Sequence, residues 1–107
     1  MITNTEIGAT ATTIFTSTGS NAINLMVFCN TNGADDGLLT VFVVPDGESA
    51  QTKHTIIKKT RLIPLETLTF STEKIILSDG DSIISIATKT DESSPIDIVS
   101  TVSSIAL

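Results

Sequence analysis

The chain has 107 residues, 40% of them hydrophobic, and carries a formal net charge of −6 at pH 7. The length fits a single domain, and the apolar fraction excludes a disordered chain. The acidic charge argues against nucleic acid or an anionic membrane as a partner, and the single cysteine excludes an internal disulfide. The N-terminus lacks the basic and apolar regions of a signal peptide, and no apolar stretch is long enough to span a membrane, so we expect synthesis in a cytosol.

Short apolar runs alternate with turn residues along the chain, a pattern that is typical of an antiparallel sandwich or barrel. Residues 1–9 are predicted to form a flexible polar arm, and residues 10–107 a single β-sandwich domain. The predicted strands are 10–16, 22–30, 38–45, 54–63, 66–70, 73–77, 81–89 and 96–107. The ranges 66–70 and 73–77 are either two short strands or one bent strand. The fold class is therefore all-β, with about seven or eight strands in two packed sheets of immunoglobulin-like or jelly-roll-like form.

The predicted strands 22–30 and 38–45 carry apolar side chains on both faces. A strand with one solvated face alternates apolar with polar residues, and these two strands do so poorly. On strict alternation, one face of the first strand holds Ile23, Leu25, Val27 and Cys29. Either a loop or crossing strand covers the opposite faces, or these faces form a subunit interface. The candidate interface residues are Met26, Phe28 and Phe42.

The stretch SDGD at residues 78–81 joins two apolar runs. It is too short for an EF-hand calcium loop and lacks the distal glutamate of one. Gly80 can adopt a positive φ, and Asp79 and Asp81 can accept hydrogen bonds from the backbone, so a turn is the favoured interpretation. A weaker hypothesis is that Asp35-Asp36 lies at the same end of the sandwich and that the four carboxylates bind Ca²⁺.

The chain shows no pairing of a nucleophile with a general base in a known motif. His54 is the only histidine, and we expect it at the surface, where it opens a strand. Cys29 is expected to be a small buried residue rather than a reactive thiol. One cysteine and one histidine do not support a zinc site. The sequence therefore predicts a protein that is not an enzyme and that uses no cofactor and no small-molecule substrate.

Four of the six basic residues lie in the stretch KHTIIKKTR, residues 53–61. They are Lys53, Lys58, Lys59 and Arg61. They are either solvated residues of an edge strand, where lysine blocks aggregation, or a basic stripe that meets acidic loops on a neighbouring subunit. The candidate acidic loops lie at residues 35–36, 46–48 and 91–92.

Several segments in order resemble small virion structural proteins of tailed bacteriophages. The segments are AINLMVFCN (22–30), LTVFVVPDGESA (39–50), IPLETLTF (63–70), KIILSDGDSIISIAT (74–88) and PIDIVSTVSSIAL (95–107). A "leucine, two residues, Gly-Asp, one residue, Ile" element commonly joins sandwich strands in such chains, and here it consists of Leu77, Gly80, Asp81 and Ile83. The resemblance covers most of residues 20–107.

The resemblance implies a non-enzymatic building block of a virus particle that is assembled in the host cytoplasm. Its first implication is capsid decoration, in which dimers or trimers bind the major capsid protein and bridge capsomers. The alternative location is the neck or tail, as a fibre, adaptor or sheath-associated subunit. A sandwich that binds a receptor or a glycan is a further alternative, although the absence of Trp and Tyr removes the usual platforms for stacking sugars.

Overall fold

The computed structural model describes residues 1–70 and 75–107. In these ranges the chain forms nine β-strands and one 3₁₀ turn, Thr52–His54. The strands are β1 Ile2–Ile7, β2 Thr12–Thr16, β3 Asn21–Asn30, β4 Gly37–Val44, β5 Thr55–Leu62, β6 Thr67–Phe70, β7 Ile75–Leu77, β8 Ser82–Lys89 and β9 Ile98–Ala106. The described residues contain no helix with the length and apolar character needed to cross a membrane.

The strands form two antiparallel sheets whose inner faces pack on each other. Sheet A has the order β1-β9-β3-β6, with β7 also paired to β3, and sheet B has the order β2-β8-β4-β5. β6 and β7 pair with opposite ends of β3 and so occupy one strand position. With β6 and β7 counted as one position, the chain has eight strand positions that pair from the ends inwards. β1 pairs with β9, β2 with β8, β3 with the β6 and β7 position, and β4 with β5. This is the pairing of a jelly roll, and it decides between the two sandwich types that the sequence left open.

The all-β sandwich predicted from the sequence is confirmed, and most predicted strands lie within three residues of the observed bounds. Residues 73 and 74 of the predicted strand 73–77 lie outside the described residues. The N-terminal arm is the main correction, because residues 2–7 form β1 and pair with β9 from Ile2–Ser103 to Ile7–Ile98. Sequence patterning missed β1 because its inward positions include Thr3 and Thr5, which do not give an apolar alternation.

A β-bulge in β3 decides which of its side chains reach the core. The register of β3 against β9 shifts between Ile23 and Leu25, so the alternation of faces restarts there. Ile23 is therefore on the same inner face as Met26 and Phe28, both of which are 0% exposed. Leu25 instead begins an outward row that continues through residues 27 and 29. The sequence-based assignment of Ile23 to the face of Leu25 was wrong for this reason.

The SDGD turn ties three loops together at one end of the sandwich. Asp81 accepts hydrogen bonds from the backbone N–H groups of Ser78 and Asp46, each at 2.9 Å. Asp79 accepts one from the N–H of Gly19 at 2.8 Å. Gly80 has φ 87° and lies directly under the Asp46 carboxylate. The predicted turn is confirmed, and its carboxylates also hold the neighbouring loops.

We expect Gly80→Ala to cost about 1–2 kcal/mol for its left-handed backbone, and somewhat more because the Asp46 carboxylate must move away from the new Cβ. A Cβ on Gly80 would lie 2.4 Å from the Asp46 carboxyl carbon. Gly47→Ala is the matched control, since Gly47 has φ 81° and nothing within 4 Å of its Cβ position. The control should cost only about 1–2 kcal/mol for the left-handed backbone. Urea unfolding measures both, and equal losses would show that the Asp46 contact does not matter.

Candidate functional site

A groove of about 320 Å³ lies on the outer face of sheet B. Its floor comes from β4 and β8, where strand alternation turns Leu38, Phe42 and Ile86 away from the core. Its lining residues are Ala9, Leu38, Thr40, Phe42, Lys58, Lys59, Ile86, Thr88 and Glu92. Phe42 is thus placed on the face that the sequence predicted for it, in the floor of the groove.

The basic wall of the groove is a bulged segment of edge strand β5. The register between β4 and β5 shifts twice, so that Lys58 and Lys59 have no direct partner on β4. Lys59 has φ 48°, and its backbone N–H donates to Thr40 Oγ1 at 3.2 Å. A left-handed conformation in a non-glycine residue costs free energy, and such residues cluster at ligand clamps and switch regions.

Glu92 also lines the groove. It also has a positive φ, 66°, and its carboxylate forms an ion pair with the ammonium group of Lys59. Asp91 orders the loop of Glu92 by accepting hydrogen bonds from the N–H groups of Ser93 and Ser94, at 2.9 and 2.8 Å. The Ser94 hydroxyl and these two N–H groups lower the pKa of Asp91 to about 2.

Lys58 is the charged group that the groove can offer to a partner. It is exposed, and it has no ion-pair partner among the described residues. The groove therefore combines an apolar floor with one available cation and one ion pair. That arrangement can bind an extended acidic and apolar segment, with the carboxylate of the segment at Lys58 and its apolar side chains on the floor.

The remaining basic residues of the stretch 53–61 pair with acidic loops of the same chain. Lys53 lies 3.5 Å from Glu48, and Arg61 forms an ion pair with Asp36. The sequence predicted these acidic loops as partners, but on a neighbouring subunit. The location of β5 at the edge of sheet B agrees with the alternative reading of the lysines as solvated edge residues.

His54 and Cys29 both differ from their predicted environments. His54 is 8% exposed, because the 3₁₀ turn folds its ring inwards, where Nδ1 accepts from the Gln51 N–H and Nε2 lies 3.2 Å from Glu48. Cys29 is half-buried on the outer face of sheet A, not in the core. His54 and Cys29 therefore belong to different environments and form no catalytic pair.

The two acidic turns lie at opposite ends of the sandwich. Asp36 precedes Gly37, which pairs with Lys89, whereas Asp81 precedes Ser82, which pairs with Val44 at the other end of β4. At about 3.3 Å per residue these ends are roughly 23 Å apart. The four carboxylates do not meet, and no grouping of three potential metal ligands occurs within the described ranges.

The outer face of sheet A is a second surface, which the sequence analysis assigned incorrectly. Cross-strand register turns Leu25, Val27 and Cys29 of β3 outwards, next to Val99 of β9. Met26 and Phe28, the candidate interface residues of this strand, lie in the core and have no surface to offer in this structure. β3 carries apolar side chains on both faces, as the sequence indicated, and the bulge reversed the assignment of its faces.

One end of this outer face carries large exposed apolar side chains. Ile76 of β7 and Ile105 of β9 flank Ala22 in register and are 61% and 53% exposed. Ile2 of β1 lies on the same face and is 68% exposed. Among the described residues of the five strands of sheet A, Glu6 is the only charged side chain.

Comparison with protein-family models, with curated proteins and with solved structures gives no match to this chain.

The loop that carries Glu92 should lose its order only at a pH well below the usual titration range of a carboxyl group. The pKa of Asp91 is lowered from 3.8 to about 2, so its contribution to loop order is complete above pH about 4 and is lost as the pH falls through about 2. NMR shifts of the Ser93 and Ser94 amides should titrate with a midpoint near 2. A midpoint near 4 would mean that the hydrogen bonds to Asp91 do not form in solution.

Proposed function

We propose that the protein is a non-enzymatic structural subunit of a bacteriophage virion, and that it decorates the capsid as an oligomer. The resemblance of residues 20–107 to small virion proteins of tailed phages suggests this role. The observation that carries the proposal is the presence of two unlike binding surfaces on one small jelly roll. Sheet A offers an outer face on which Glu6 is the only charged side chain among the described strand residues, and sheet B offers a groove with a basic wall.

A decoration protein needs two such surfaces, because it contacts its own copies and also a different protein. In this proposal the face of sheet A serves self-association, and the groove of sheet B binds an acidic and apolar segment of the major capsid protein or another virion protein. Many identical contacts on one particle raise the effective concentration, so each contact can be weak.

Residues 2–7 are already paired in sheet A, so they do not form a free arm that could add a strand to a neighbouring protein. Strand addition would need one of the sheet edges, which are β1 and the β6 and β7 position in sheet A, and β2 and β5 in sheet B. The β5 edge is interrupted by its two bulges, which makes it a poor template for another strand. Docking by side chains in the groove is therefore favoured over strand addition at this edge.

The groove itself favours one other class of function, a module that binds a receptor or a glycan. Hydroxyl groups of Thr40 and Thr88 lie beside Lys58 and Glu92 in its lining, and such groups can bind sugar hydroxyls. The absence of Trp and Tyr from the chain weighs against a sugar site. Binding of isolated glycans by the purified protein, lost in Thr88→Val, would favour this class over a virion subunit.

The first test is the composition of purified particles. We expect mass spectrometry to find the protein in many copies per particle, as repeated binding to a symmetric head requires. A copy number near that of a single ring would place the protein in the neck or tail instead. Its absence from particles would contradict the virion proposal in both forms.

The second test concerns the groove. We expect Lys58→Glu with Lys59→Glu to reduce incorporation into particles, because the substitutions place negative charge where an acidic segment binds. The matched control is Lys53→Glu with Lys89→Glu, which changes the net charge equally but outside the groove.

Thermal melting should fall only slightly, by the loss of one ion pair in the groove variant and of two in the control, since each exposed ion pair contributes at most about 1 kcal/mol. Equal incorporation of both variants would show that the groove is not the attachment site. Equal loss in both would point to net charge, not to a particular surface.

A further inference from the structure

We infer that the outer face of sheet A is the surface through which two copies of this chain associate, packed face to face. The inference deepens the self-association in the proposed function, but it does not depend on a virion, because it concerns the purified protein alone.

The first argument is the composition of the face. The inner strands β3 and β9 present Leu25, Val27, Cys29 and Val99 on this face, together with the uncharged polar side chains of Thr101 and Ser103. The centres of protein interfaces are depleted of charged residues, and the centre of this face carries none among the described residues. Glu6 lies on edge strand β1, at the margin of the face, where it stays solvated when the centre is covered.

The second argument is charge, and it identifies the occupant as a second copy. Every acidic residue of the described chain except Glu6 lies in a loop outside the strands. Two copies that approached through their loops would bring like charges together, since the chain has a net charge of −6. Sheet A is the broad surface on which two copies can meet without that repulsion. A strongly charged partner would find no complementary charge at the centre of this face.

The third argument is area. The strands of sheet A hold 6, 9, 10, 4 and 3 residues, which at a rise of about 3.3 Å per residue and a spacing of about 4.8 Å cover a projected face of roughly 500 Å². Because side chains project from the sheet, the accessible area of this face is larger than its projected area. It approaches the value of about 800 Å² that each partner buries in a standard interface. The cluster of Ile2, Ile76 and Ile105 supplies the large apolar side chains at one end of it. Two such sheets would stack about 10 Å apart, as sheets do within a sandwich.

The test is self-association of the purified chain by sedimentation, with Ile105→Glu as the disrupting variant. We expect the unchanged protein to sediment as a dimer or larger assembly, and Ile105→Glu to weaken its association at least about tenfold by placing a charge in the interface. Ile63→Glu is the matched control, because Ile63 is 54% exposed against 53% for Ile105 and lies in the loop between β5 and β6. The control should associate like the unchanged protein.

Cys29 provides an independent readout that needs no substitution. Its thiol lies on the same face, so maleimide labelling should be slow in concentrated protein and faster after dilution. In Ile105→Glu labelling should be fast at every concentration at which the protein is monomeric, with circular dichroism showing that the fold is kept.

A monomeric unchanged protein at high concentration, or labelling independent of concentration, would overturn the inference. Equal effects of Ile63→Glu and Ile105→Glu would also overturn it. An assembly that passes these tests but is absent from particles would contradict the virion proposal and leave the interface standing.

Discussion

The β-bulge in β3 is the local feature on which the division between core and surface depends. Strand alternation has a period of two, so one additional residue reverses every side chain beyond it. The shift between Ile23 and Leu25 allows β3 to supply the core from both of its ends, with Ile23 at one end and Phe28 at the other. The same shift turns Val27 and Cys29 outwards. The packing of the core and the apolar outer face of sheet A therefore have one cause.

Local chemistry made much of the fold predictable from the sequence. Gly80 between two aspartates identified a turn, and the structure gives that glycine a positive φ. Pro45 identified the end of β4, and β-branched residues identified most of the strands. These signals act over a few residues, which is the range over which a sequence pattern carries structural information.

The parts that could not be predicted depend on partners distant in the chain. β1 is stable because β9 pairs with it, although the two strands are separated by most of the chain. The bulge in β3 became visible only in its register against β9. The acidic partners of β5 were recognised by their charge, but the sequence could not show that Arg61 meets Asp36 within one chain. The groove combines residues of β4, β5 and β8 with two loops. The sequence suggested Phe42, the basic pair Lys58 and Lys59 and the acidic loop 91–92, but it could not show that one surface of a single chain joins them.

The distribution of charge over the molecule balances solubility against association. The acidic loops keep copies apart at the ends of the sandwich, while the cations of β5 protect the edge of sheet B. The described strand residues of sheet A include no lysine or arginine, and the centre of its outer face combines Leu, Val and Cys with Thr and Ser, without Tyr or Trp. Interfaces without aromatic anchors lack the residues that usually dominate binding energy. A contact through this face is therefore expected to be modest for one pair of copies, and it would become strong only where many copies are held close together by a common scaffold.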